Sequence, residues 1–139
     1  MTTEQAFFNE YRLMYRPLTN QINLHLEKYQ LFSSQWGVLR LLMDRGSHSL
    51  VEIANEMYIE KPSVTRLVQK LVDRGYVEKV AGKDKREKVV QLTILGEETV
   101  QEIQMSLKPV LEESLAGVAR EDIEIARQVL AKIRMNIKK

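Results

Sequence analysis

The sequence predicts a mainly α-helical fold that carries one small β-hairpin. Two observations predict it. Apolar residues recur at helical spacing over most of the 139 residues, and between Tyr76 and Leu92 that spacing gives way to the alternation of strands. The change leaves no residues between the two periodicities, so a helix feeds directly into the hairpin.

Phe7, Tyr11, Met14, Leu18 and Ile22 step by three or four, which gives a first helix from about Thr3 to Lys28 with a bend tolerated at Pro17. Ser33 or Ser34 is placed to cap a second helix holding Trp36, Val38, Leu39, Leu41 and Leu42, up to Gly46. Leu50, Ile53, Ala54 and Met57 mark one apolar face of a short third helix. Val64, Leu67, Val68, Leu71 and Val72 then fall at i, i+3, i+4, i+7 and i+8, the stripe of a fourth helix whose other side faces water. Pro62 suits its first turn, where a missing N–H has no intrahelical partner to lose, and Arg74-Gly75 closes it with a left-handed cap. Tyr76, Val77 and Val80 precede a polar tip from Ala81 to Glu87, and Val89, Val90 and Leu92 follow, giving two strands and a turn. After the hairpin, Val100, Ile103, Leu107, Val110 or Leu111, Leu115 and Val118 make a long helix with a kink expected at Pro109. A last helix carries Ile123, Ala126, Leu130, Ile133 and Ile137 near heptad spacing. This order of elements is a winged helix-turn-helix with helices added at both termini.

Composition narrows the classes of function. There is no apolar run of about 18 residues and no charged-then-apolar leader, so neither a membrane span nor secretion is expected, and the reading is cytosolic. Zero cysteines remove disulfides, thiolate metal sites and thiol redox sensing. The two histidines, His25 and His48, lie on different predicted elements, so no metal site and no cofactor is expected. Catalysis has little to stand on: there is no serine elbow, and the six glycines are scattered singly rather than gathered into a phosphate loop.

Net charge is only +2, but it is unevenly spread. Between Lys61 and Thr93 nine Lys and Arg face four acids, a local +5 that leaves −3 for the rest. A charge run alone is most simply a solvated face. Coupled to a helix-turn-helix and a hairpin, it implies a surface that meets phosphates.

The stretch LFSSQWGVLRLL, then SLVEIANEMYIEKPSVTRLVQKLVDRGYVEK and DKREKVVQLTILGEE, resembles the MarR family of bacterial transcriptional regulators. The most specific element is Asp84-x-Arg86 followed by Leu92-Thr93 and Gly96, which is similar in type and spacing to the family's wing signature. The resemblance covers nearly the whole chain and implies a single domain over 1–139, with residues 30–96 as the winged-helix DNA-binding lobe and 1–29 and 97–139 as a helical dimerisation lobe. The terminal stripes exceed what a winged helix needs to cover itself, which agrees with burial against a second copy. It also implies recognition helices in major grooves, wings in minor grooves, and release of DNA by a small aromatic or phenolic effector. Two departures stand out: the turn at Tyr58 and Ile59 lacks the glycine many relatives carry, and the absence of cysteine removes peroxide sensing.

Within that frame the expected DNA contacts are Lys61, Ser63, Thr65, Arg66, Gln69 and Lys70 on the fourth helix and Lys83, Asp84, Lys85, Arg86 and Lys88 on the wing. Arg66 and Gln69 can donate to bases bidentately and so set specificity, whereas Lys61 and Lys70 suit backbone phosphates. Arg86 is the candidate for the minor groove, where narrow A·T tracts concentrate negative potential. By resemblance, Asp84 orients that arginine through a charge-assisted bond. Tyr11, Met14, Tyr15, Trp36 and Met43 are the candidates for an effector pocket, although aromatic and Met positions at helical spacing are more often core. The expected partners are therefore double-stranded DNA, a second copy of the chain and an effector. Two further readings stay open: a non-specific architectural DNA binder, and a winged-helix docking module for another protein.

Overall fold

The computed structural model describes residues 1–84 and 86–138, and in them six α-helices accompany a small three-stranded sheet. Helix α1 (Thr3–Leu26) opens on a capping box, with Gln5 N–H donating to Thr2 Oγ1 at 3.1 Å and Thr2 N–H to Gln5 Oε1 at 2.9 Å. The helix runs unbroken through Pro17 and tightens into a 3-10 turn, Glu27–Tyr29. Helix α2 (Ser33–Arg45) starts one residue earlier than a serine cap requires. Phe32 occupies the cap position and offers no acceptor, and the free amides are satisfied from elsewhere. Phe32 N–H donates to Gln35 Oε1 at 2.8 Å, and Ser33 N–H donates to Asn23 Oδ1 of α1 at 2.9 Å.

Strand β1 (His48–Ser49) precedes α3 (Leu50–Met57), where Ser49 and Glu52 form a second capping box. His48 is thus a strand residue, paired with Val90 of the hairpin's second strand. Helix α4 (Lys61–Asp73) leads into β2 (Val77–Ala81) and β3 (Lys88–Leu92), and α5 (Ile94–Ser114) and α6 (Arg120–Ile137) follow. The sheet order is β1-β3-β2, antiparallel throughout, with Val77 opposite Leu92, Ala81 opposite Lys88 and His48 opposite Val90. Helix α5 is helical through Pro109.

The chain divides into two compact units, Met1–Leu107 and Lys108–Lys139. The division falls well beyond residue 96, and the core gives the reason. Leu26 of α1 and Val100, Ile103 and Leu107 of α5 are buried with Leu39, Ile53, Val68 and Val90, so the C-terminal end of α1 and residues 97–107 share their core with the winged helix. In the second unit no residue of α6 is buried.

Candidate nucleic-acid interface

Helix α4 is held by one face and free on the other. Val64, Val68 and Leu71 are fully buried, each contributing about 1.5 to 3 kcal/mol relative to exposure. That burial fixes the helix, so its outer face is free to serve another purpose. On that outer face Lys61, Thr65, Arg66, Gln69 and Lys70 are exposed and Ser63 is half-buried. Their polar groups find only local partners. Thr65 Oγ1 donates to the Lys61 carbonyl at 3.0 Å, Arg66 Nη2 reaches Ser63 Oγ at 3.4 Å, and Gln69 Nε2 donates to Asp73 Oδ1 at 2.9 Å. Among the described residues, Lys61, Arg66 and Lys70 make no ion pair. Exposed, locally satisfied donors of this kind can exchange their partners for phosphate oxygens or base edges at small cost.

The wing tip is a tight turn. Glu87 N–H donates to the Asp84 carbonyl at 2.9 Å, and Gly82 N–H donates to the Glu87 carbonyl at 2.8 Å. Asp84 acts on the backbone of Arg86, accepting its N–H on Oδ1 at 3.1 Å, and forms no ion pair with the guanidinium. The carboxylate thus shapes the turn that presents Arg86, leaving the guanidinium exposed. Lys83 and Lys88 are exposed beside it, and Lys85 lies outside the described residues.

The Leu92-Thr93-x-x-Gly96 segment ties these two surfaces together. Thr93 Oγ1 donates to the Gly75 carbonyl at 2.6 Å and accepts the Gly96 N–H at 3.0 Å, while Thr93 N–H donates to the Tyr76 carbonyl at 3.1 Å. One threonine therefore caps α5 and pins the end of α4 and the root of the wing. A Cβ on Gly96 would lie 2.0 Å from the Tyr76 carbonyl oxygen, so only glycine permits the approach. Sequence reading took this segment as a family mark, and its physical role is that of a latch.

A second set of bonds anchors the same corner to α1 and α5. Tyr76 Oη donates to the Tyr29 carbonyl and Tyr29 Oη to Glu102 Oε2, both at 3.1 Å, and Arg74 Nε donates to Gln30 Oε1 at 3.3 Å. Burial pushes the Tyr76 phenol up from its ordinary pKa. His25 Nδ1 and Ser106 Oγ are 2.7 Å apart one turn away. None of these pairs was visible as a motif, because their members are 44 to 81 residues apart in sequence.

The effector-pocket candidates do not converge in the single chain. Trp36 is buried in the core, Tyr11, Met14 and Tyr15 are about half exposed on α1, and Met43 is half-buried. Met43 instead lines a cavity of about 420 Å³ with Leu42, Ser47, Gln91, Leu92 and Glu97. Among the described residues no group of His, Asp or Glu could hold a metal, and no helix is long and apolar enough to cross a membrane.

Comparison with known proteins agrees with this geometry. The sequence pattern of the MarR family matches residues 30–87. The chain is 38% identical over 109 residues to an uncharacterised HTH-type transcriptional regulator of Bacillus subtilis, YwoH, covering 78% of this chain and 80% of that one. Among solved structures it is similar to Staphylococcus aureus MarR in complex with salicylate and kanamycin, with a TM-score of 0.86, 24% identity, and 96% and 91% of the two chains covered. It is also similar to a mutant E. coli MarR complexed with operator DNA, with a TM-score of 0.77, 20% identity, and 96% and 99% covered. With its winged helix, the exposed cations of α4 and these relatives, the chain belongs to the MarR family of DNA-binding transcriptional regulators, which are not enzymes.

Proposed function

We propose that the protein is a homodimeric repressor that binds a pseudopalindromic operator and is released by a small aromatic or phenolic effector. The observation that carries the DNA half of this reading is the pairing of a locally satisfied polar face on α4 with an exposed wing arginine, both pinned by Thr93. Arg66 and Gln69 read base edges in the major groove, Lys61 and Lys70 hold phosphates, and Arg86 enters the minor groove. The homodimer reading is supported by apolar surface that the single chain leaves bare: Phe7, Phe8, Tyr11 and Tyr15 on α1, and Ile125, Val129 and Leu130 on α6. Two copies related by a two-fold axis would present half-sites whose centres lie about 10 bp apart. The effector reading takes its support from the salicylate complex of the staphylococcal relative. An effector that favours a different separation of the two recognition helices lowers DNA affinity by its differential binding.

Selection from a random duplex pool near physiological salt tests this function. Enrichment of an inverted repeat with A·T-rich flanks is the expected result. Binding without any preferred sequence would replace it with an architectural role, and absence of binding would favour a protein-docking module.

A further inference from the structure

We infer that Tyr58, in the turn between α3 and α4, is a DNA-backbone contact, its phenol donating to a phosphate oxygen beside the major groove entered by α4. The inference starts from strain. Tyr58 has φ 56° and ψ 40°, left-handed backbone that glycine adopts freely and a bulky L-residue does not. The fold imposes this conformation. Tyr58 N–H and Ile59 N–H both close onto the Ala54 carbonyl, and the reversal delivers Ile59 against the core.

The fold does not impose the side chain. Among the described residues the other left-handed one that is not glycine, Gln30, uses its side chain internally, accepting from Arg74. Tyr58 has no such use. Its residue surface is 60% exposed and, among the described residues, its hydroxyl takes part in no hydrogen bond. A large aromatic held in a strained conformation without an internal partner points to an external one.

Its surroundings identify that partner. Val51 and Asn55, at i and i+4, are exposed on the outer side of the helix that precedes the recognition helix, and exposed Tyr58 follows directly at its C-terminal cap. In a helix-turn-helix this first helix crosses the sugar-phosphate backbone while the second enters the groove. Val51, Asn55 and Tyr58 are themselves uncharged, with exposed Glu52 beside them, and an amide and a phenol can donate to phosphate oxygens without drawing on counterions. Tyr58 is three residues from Lys61 at the start of α4, with the exposed cap residue Glu60 between them. The proposal rests on the DNA-binding reading of α4 and adds a neutral contact to its charged ones.

Because a neutral donor displaces no cation, Tyr58 has a signature that no lysine shares. Tyr58→Phe should weaken binding of operator and of unrelated duplex by the same factor, about three- to tenfold, with the slope of log affinity against log salt unchanged. Tyr58→Gly should weaken DNA binding at least as much while its Tm equals or exceeds that of the wild type, since glycine relieves the left-handed backbone. Wild-type affinity in Tyr58→Phe would overturn the contact, and so would a Tyr58→Gly protein that loses Tm but keeps its affinity. Failure of the wild-type protein to bind any duplex would overturn the interface as a whole, a result distinct from either.

Discussion

Helices α4 and α6 are both amphipathic, yet α4 has three fully buried residues in its stripe and α6 has none. In α4, Val64, Val68 and Leu71 have no exposed surface, and the polar side, the face we propose for DNA, is left to solvent. In α6, Leu130 is 53% and Ile137 73% exposed, and on its polar side Arg127 bonds both oxygens of Glu124. The difference teaches which surface of each helix awaits a partner: the polar face of α4 and the apolar face of α6. A stripe of similar periodicity in sequence therefore serves folding in one place and, on our reading, assembly in the other.

The largest expected effects come from breaking the two stripes. Leu71→Ala should lower the free energy of unfolding by about 2 to 5 kcal/mol, measured by urea denaturation, because it opens a cavity in a closed core. Leu130→Asp should leave the helical circular dichroism of the winged-helix lobe in place while changing the sedimenting species from two chains to one. Retention of the dimer by Leu130→Asp, or wild-type stability in Leu71→Ala, would remove the contrast.

Substitutions on the polar face of α4 sharpen it. Arg66→Ala should cost about 1 to 3 kcal/mol of discrimination at one base position in competition assays. Lys70→Ala should weaken all sequences alike and reduce the salt slope by about 1. Arg86→Ala should act only where the flanks are A·T-rich. Equal losses on every sequence for all three would reduce the surface to a uniform cationic patch.

The smallest effect concerns Glu52, whose carboxyl is held below the ordinary range chiefly by the Ser49 backbone N–H, which donates to its Oε1 at 2.9 Å. A depressed carboxylate contributes stability above its unfolded pKa and loses it as pH falls through the lower folded value. The Tm of the wild-type protein should therefore fall faster between about pH 5 and pH 3 than that of Glu52→Gln. Parallel melting curves against pH would show that the cap contributes nothing measurable to α3.

Long apolar periodicities were legible in the sequence, and short or distant relations were not. The stripes of α1, α4 and α5 and the alternation of β2 and β3 each repeat often enough to specify their element. Strand β1 has two residues and cannot show a period; it exists because β3 offers His48 and Ser49 an open edge. Asn23 and Gln35 displaced the serines at the start of α2, a choice that depends on α1 lying nearby. At the interface, the exposed side chains of α4 were readable because the buried stripe determines which residues face out. The roles of Thr93 and Asp84 were not, because both act on backbone groups whose positions only the fold supplies. The missing glycine at Tyr58 was legible by resemblance, but that the chain keeps the left-handed backbone there without a glycine only the fold shows.

Hydroxyl-radical footprinting of the selected duplex, combined with native mass spectrometry of the same complex, tests the central claim most directly. The account predicts two chains per duplex and two protected major-groove sites about 10 bp apart, flanked by protected minor groove. A single chain per duplex, or protection spread evenly along the DNA, would contradict it.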